Sequence, residues 1–173
     1  MKALVPVAVL ALGLVACRST HIENPVAFDA SEAAFIHQDG KATIEGHAFV
    51  TNSSGGVVNA AGQTVWLIPS TAYARQRFAA IYGTAKSIRA QAIPKADSDP
   101  AYNQNTRQTI ASSGGKFTFE KVAPGDYFLV SQMTWKKDDA LFPQGAAMYA
   151  SVKITGAEKV SVEVVLAGNA SGT

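Results

Sequence analysis

The chain has 173 residues, with 15 Lys and Arg against 13 Asp and Glu and a formal net charge of +2. That near balance argues against nucleic acid or another polyanion as a partner, and a charged fraction of 16% leaves Ala, Ser, Thr, Gly, Asn and Gln to fill much of the surface. The length suits one ordinary domain with a real core, and the single cysteine means that packing, not a disulfide, must hold it.

The chain opens with Met1-Lys2 and an apolar run from Ala3 to Ala16, followed by that cysteine, Cys17. A charged start, an apolar stretch and small residues before a break describe a secretory signal. The run falls short of the roughly 20 residues of a spanning helix. Leu14-Val15-Ala16-Cys17 resembles the bacterial lipobox, in which the leader is cut before the cysteine and the thiol carries diacylglycerol. The resemblance implies a signal peptide over residues 1–16, lipidation of Cys17 and a membrane partner held through that anchor. Several acyl chains on one cysteine give a near-permanent hold, since each buried methylene contributes about 0.8 kcal/mol. Arg18 stands where Asp would favour inner-membrane retention. The expected address is therefore the outer membrane, facing the periplasm, or the cell surface in a Gram-positive cell. An ordinary signal peptide is the alternative.

Residues 17–40 read as a lipidated tether and lead-in. Asp29 or Ser31 is placed to cap a short helix, and Phe28, Phe35 and Ile36 to dock the segment onto the domain. Asp39-Gly40 marks a turn. From Lys41 the pattern changes to short strands. Ala42, Ile44, Gly46, Ala48 and Val50 alternate onto one face of the first, with His47 on the solvent side. Asn52 to Gly56 is a loop, Val57-Val58 a short extension, and Gln63 to Ile68 a second strand closed by Pro69. Ser70 or Thr71 caps a predicted helix that Gly83 stops, with Tyr73, Arg77 or Phe78, and Ile81 at helical spacing. Thr84 to Asn105 reads mostly as loop. Residues 85–93 fit either helix or extended chain, and Pro94, Asp97-Ser98-Asp99 and Pro100 break regular structure. Strands resume at Thr106 to Ala111 and Lys116 to Glu120, about a tight hairpin turn at Gly114-Gly115. Three more follow, at Tyr127 to Trp135, Ala147 to Ile154 and Val160 to Leu166, before a small, polar and flexible tail at 169–173.

Seven strands separated by Gly, Pro and Ser turns are the signature of an all-β antiparallel sandwich. It occupies residues 41–168, with a helical insertion at about 70–105 whose excision is expected to leave a folded sandwich. Tyr127 and Leu129 face one way and Phe128 and Val130 the other; Ile44, Trp66, Leu67, Phe117, Phe119 and Val164 are the expected core.

Four segments then recur in a familiar order: Ile44-Glu45-Gly46-His47-Ala48-Phe49-Val50; Ala61-Gly62-Gln63-Thr64-Val65-Trp66-Leu67-Ile68-Pro69; Gly114-Gly115-Lys116-Phe117-Thr118-Phe119; and Val122-Ala123-Pro124-Gly125-Asp126-Tyr127-Phe128-Leu129. Together they resemble the carboxypeptidase regulatory-like domain, a transthyretin-like (prealbumin-like) β-sandwich, over about residues 42–166. Gly114 stands where that family usually has Asp, and Ala123 where it often has Pro. The resemblance implies a fold, not a reaction. In the shared motif, Gly125 is expected to take the positive φ of a turn that Pro124 begins.

No catalytic constellation is found. His21, His37 and His47 are scattered, so neither a metal site nor a cofactor is expected, and no G-x-S-x-G sets up a serine nucleophile. Hydroxyisourate hydrolases of similar fold end in Tyr-Arg-Gly-Ser, whereas this chain ends Ala170-Ser171-Gly172-Thr173. The candidate contact surface is the basic and aromatic cluster Tyr73, Arg75, Arg77, Phe78, Tyr82 and Arg89, with Trp135 a weaker addition. The plainer alternative is a helix that packs its aromatics on the sandwich and leaves its arginines in solvent. The expected function is a non-catalytic, lipid-anchored envelope module that contacts an envelope protein or glycan. An enzyme or small-ligand carrier, with a pocket between insertion and sandwich, is the alternative; a purely structural role is a third.

Overall fold

The computed structural model describes residues 22–96, 98–136 and 141–170. The expected signal peptide at 1–16, Cys17, the start of the expected tether to residue 21 and the last residues of the tail lie outside them. Among the described residues the chain forms nine strands in two sheets, and no helix is long and apolar enough to cross a membrane. The strands are β1 (Ala42–Thr51), β2 (Val57–Asn59), β3 (Thr64–Pro69), β4 (Ser87–Arg89), β5 (Arg107–Ile110), β6 (Lys116–Val122), β7 (Gly125–Trp135), β8 (Gln144–Ile154) and β9 (Val162–Asn169). The helices are α1 (Ala30–Ala33), α2 (Ala72–Tyr82) and α3 (Pro100–Gln104). The architecture is an all-β sandwich. The two strands beyond the expected seven are β2, the short extension, and β4, which lies inside the insertion.

The five-stranded sheet runs β4-β8-β7-β3-β5. In the other sheet β1 is central. β9 lies along one edge of it, and β6 and β2 share the other edge in succession. Pairing is antiparallel throughout with one exception: β9 runs parallel to β1, from Ile44 opposite Val162 to Thr51 opposite Asn169. The expected hairpin at Gly114-Gly115 does not form. β5 pairs with β3 and β6 with β1, so this turn carries the chain from one sheet to the other. Gly115 alone adopts the left-handed conformation, with φ 75°, and its N–H closes the turn on the Ser112 carbonyl at 2.8 Å.

Between the sheets lies the main core. Ile44, Ala48 and Val50 of β1 meet Val65 and Leu67 of β3, Phe117 and Phe119 of β6, Tyr127 and Leu129 of β7, and Leu166 of β9. Period-2 alternation on each strand puts them there. Tyr127 reaches back to donate its hydroxyl to the Ala123 carbonyl at 2.8 Å, so a buried phenol is satisfied within its own turn.

A second core covers the outer face of the five-stranded sheet. Ile68, Phe128 and Ala147 of the sheet pack against Tyr73, Ala74, Phe78 and Tyr82 of α2 and against Tyr102 of α3. Trp66 belongs here, half-buried, and not between the sheets: on β3 it alternates with Val65 and Leu67, which take the inner face. The insertion is therefore a third layer. α2 begins where expected, with the Thr71 hydroxyl accepting from the Ala74 N–H at 3.1 Å, and it ends at Gly83. Residues 84–105 are more ordered than their sequence suggests. β4 extends the sheet beside β8, a 3-10 turn follows at Ala90–Ala92, and Pro100 starts α3 instead of breaking structure. Proline suits the first helical position because its missing N–H has no partner there, and Asp99 caps the same end by accepting from Ala101 N–H at 2.7 Å.

The lead-in docks on both cores. Asp29 caps α1; Ile36 is buried in the main core, Phe35 packs on its edge, and Phe28 sits edge-on to Tyr73 and Tyr102. Asn24 donates to the Tyr73 carbonyl at 2.9 Å, and the Ile22 N–H to the Lys95 carbonyl at 3.1 Å. From Ile22 onward the segment is a strap across the insertion, not a free tether.

Candidate cleft between insertion and sandwich

Alternation along the strands determines what the outer face presents. Gln108 of β5 lies directly opposite Trp66 of β3, which lies opposite Val130 of β7, which lies opposite Tyr149 of β8. This cross-strand row is the floor of the molecule's outer side, and Gln132, two residues beyond Val130, points to the same face. α2 crosses above the row and contributes Arg77, Phe78, Ile81 and Tyr82 as one wall of a cleft of about 560 Å³. The opposite wall is built by Ile93, Pro94, Ala96, Tyr102, Asn103 and Thr106. The volume falls in the range of ligand sites, about 300–1,000 Å³. Gln108, Gln132 and Asn103 are exposed, so the cleft opens to solvent at their side.

Aromatic packing makes the wall rigid. Phe78 stacks on Phe128 with centroids 4.3 Å apart, and Tyr82 lies 4.5 Å from Tyr149. Such pairs add about 0.5–1.5 kcal/mol beyond their burial. Arg77 ties the two walls together: its guanidinium donates to the Ala96 carbonyl at 3.1 Å and lies 5.9 Å from the centre of the Tyr102 ring. Burial pushes the Tyr102 phenol up to about 12, with Arg77 partly offsetting it, and burial drives Tyr82 higher still. Both are neutral hydroxyls at any physiological pH. Among the described residues, no three or more His, Cys, Asp or Glu side chains gather as a metal site would require.

The sequence-predicted cluster is divided by the structure. Arg77, Phe78 and Tyr82 line the cleft. Tyr73 is buried beneath it beside Tyr102, at 4.9 Å between centroids, and Phe78 and Tyr82 are themselves largely buried. The aromatics thus pack on the sandwich, as in the plainer of the two readings. Arg75 is exposed and bonds to the Ser70 carbonyl; Arg89 is exposed at the end of β4; Trp135 packs on the main core and is not part of the cleft. Missed by sequence were Trp66, Gln108, Gln132 and Asn103. Trp66 sits in an unbroken apolar run, Val65 to Pro69, in a strand covered on both faces, where periodicity carries no information about direction. The two glutamines become visible only once β5 and β7 are known to flank β3.

These features define a class: an all-β sandwich that carries an aromatic- and amide-lined surface cleft under an inserted layer. No protein-family model and no curated protein matches the chain. Among solved structures, it resembles a Pseudomonas aeruginosa protein named "putative carbohydrate binding protein (PA1324)". That match has 23% identity and a TM-score of 0.67, covering 81% of this chain and 97% of the other, and shows a shared fold. Weaker matches are a 9R-lipoxygenase from Cyanothece (7% identity, TM-score 0.29, 78% of this chain and 17% of that one) and the shaft pilin SpaA from Lactobacillus rhamnosus (16%, 0.31, 77% and 48%).

Proposed function

We propose that the protein is a non-catalytic glycan-binding module of the bacterial envelope, a member of the carboxypeptidase regulatory-like domains, with its ligand seated in the cleft over Trp66. The observation that carries this reading is the placement of an indole between two exposed primary amides, Gln108 and Gln132, on a rigid sheet. Aromatic faces stack on the apolar face of a sugar ring, and an amide offers both donors and an acceptor to its hydroxyls. The name borne by the Pseudomonas neighbour supports the same chemistry. The cleft's size also suits a small-ligand carrier, the second reading.

Lipidation of Cys17 and residence at the periplasmic face of the outer membrane complete the proposal and rest on the Leu14 to Cys17 sequence. Metabolic labelling with a tagged fatty acid tests the anchor: Cys17→Ser is expected to lose the label and leave the membrane fraction, and persistent labelling removes the anchor from the account. Isothermal titration of the mature protein with peptidoglycan fragments and neutral oligosaccharides tests the binding function. Saturable binding that Trp66→Ala abolishes is expected; no binding to any saccharide, with retention of a lipid or other small molecule, gives the carrier reading instead.

A further inference from the structure

We infer that Leu141 and Phe142, just ahead of β8, enter the phospholipid bilayer that holds the Cys17 anchor; this rests on the anchor proposed above and gives it a second membrane contact. Exposure is the first argument. β7 and β8 pair without a break from Gly125 opposite Ile154 to Trp135 opposite Gln144, and the Leu-Phe pair lies beyond that last rung. Leu141 is 88% exposed, the most of any described large apolar residue, and Phe142 is 65% exposed. The pair is held out in solvent: the Gln91 side chain donates to the Pro143 carbonyl at 2.6 Å and ties its base to the 3-10 turn after β4. Adjacent large apolar side chains kept in water by such a bond mark a contact surface.

Position is the second argument, and it names the partner. The Ile22 N–H is bonded to the Lys95 carbonyl, and Lys95 follows Gln91 by four residues, a span of at most about 14 Å. From Ile22 the strap leads to the Tyr73 carbonyl at the start of α2, which follows Pro69, the partner of Tyr127 near the start of β7. The strap therefore enters the domain from the end where Leu141 and Phe142 lie and runs toward the opposite end. Cys17 precedes Ile22 by five residues, at most about 18 Å of chain, so a lipid on its sulfur and the Leu-Phe pair reach one surface. Leu and Phe are side chains that interfacial segments bury at the acyl boundary. The adjoining run Lys136-Lys137-Asp138-Asp139 is neutral in sum, so the contact is apolar and requires no anionic headgroup. One tether leaves a domain free to turn about it. A second contact fixes the domain, with the Gly125 end of β7 directed away from the membrane.

The test uses the lipidated protein. Cys17 is the one cysteine of the chain, and acylation converts its sulfur to a thioether, so Phe142→Cys supplies a single free thiol. The lipoprotein is labelled there in detergent with a nitrobenzoxadiazole dye and reconstituted into phosphatidylcholine vesicles. Lys159→Cys, exposed beyond the other end of β8, is the control. The expected result is a blue shift of the emission at position 142, with loss of that emission when doxyl-labelled lipid is included, and neither change at position 159. Leu141→Ser in the protein labelled at 142 is expected to weaken the quenching. Both positions are exposed, so these variants keep the fold. Emission at 142 that stays as in water overturns this inference and leaves the anchor intact. Equal shifts at 142 and 159 overturn it as well, because the dye alone then accounts for them. A Cys17 that mass spectrometry finds unacylated removes the anchor, and this inference with it.

Discussion

The ring of Phe35 lies against the α-carbon of Gly125: a Cβ built on that glycine would sit 2.3 Å from Phe35 Cε2. Gly125 has φ 159°, the positive value expected of it and one that residues with a side chain rarely adopt, so backbone conformation and the space taken by Phe35 both demand glycine. The same ring stands edge-on to Tyr127, 5.3 Å between centroids, and so fastens the lead-in to the strand that follows. Gly125→Ala is expected to cost about 1–3 kcal/mol through overpacking. In a Phe35→Ala background the overpacking part of the cost should vanish, leaving the part that comes from the positive φ. A double-mutant cycle by urea unfolding measures this, and an unchanged cost in that background would show that Phe35 is not the reason.

A second link between lead-in and insertion is electrostatic. Glu32 accepts the Ala72 N–H at 2.8 Å, at the first turn of α2, where the helix dipole favours a negative charge. Thr71 caps the same end, so the two residues satisfy two of its unpaired donors. Glu32→Ala is expected to lower stability by about 0.5–1.5 kcal/mol and to speed amide exchange at the first turn of α2. Exchange that is unaltered there would detach the strap from the helix.

Removal of residues 70–105 should not leave a free-standing sandwich. It takes away β4 and uncovers Phe128, Val130, Ala147 and Tyr149 on the outer sheet face. An apolar face of this kind is an association hazard. Joined by a short Gly linker, the remainder is expected to bind a hydrophobic dye and to lose cooperative unfolding; a monomeric, cooperatively folding product would show that the layer is an accessory.

Alkaline pH should destabilise the fold more than its charge balance suggests. Burial raises Tyr102 and Tyr127 to about 12, and Tyr82 above them, against about 10 in the unfolded chain. Between those values the unfolded state has released protons that the folded state still holds, so stability falls as pH rises. Below pH 10 the contribution is fully present. Tyr102→Phe is expected to flatten the fall in melting temperature between about pH 10 and 12; an unchanged slope excludes that phenol as a source.

Much of the sandwich was legible because its strands obey simple alternation. Ile44, Ala48 and Val50 announce their shared face, and Thr71 and Gly83 bracket α2 by cap chemistry alone. The failures have one physical cause: long-range partnership. Gly114-Gly115 has hairpin composition, but its flanking strands pair with β3 and β1 and not with each other. Pro100 breaks a helix or starts one depending on whether Asp99 is free to cap, which the local sequence leaves open. Trp66 is assigned to a face only when both faces are known to be covered. The cleft inherits all three ambiguities, since its floor comes from strands distant in sequence and its far wall from the segment that reads as loop.

The parallel pairing of β1 with β9 has a consequence for how the molecule comes into being. The strand partner of Ile44 is Val162, more than a hundred residues later. Until that last strand is delivered, one edge of the central strand is bare, and Val164 and Leu166 are missing from the main core. Loop-closure entropy for so distant a contact must be met before any of it is recovered. The domain therefore cannot mature stepwise from its amino terminus. Its folding waits for β9, so the edge of the central strand and the main core are completed together, by residues 162–169.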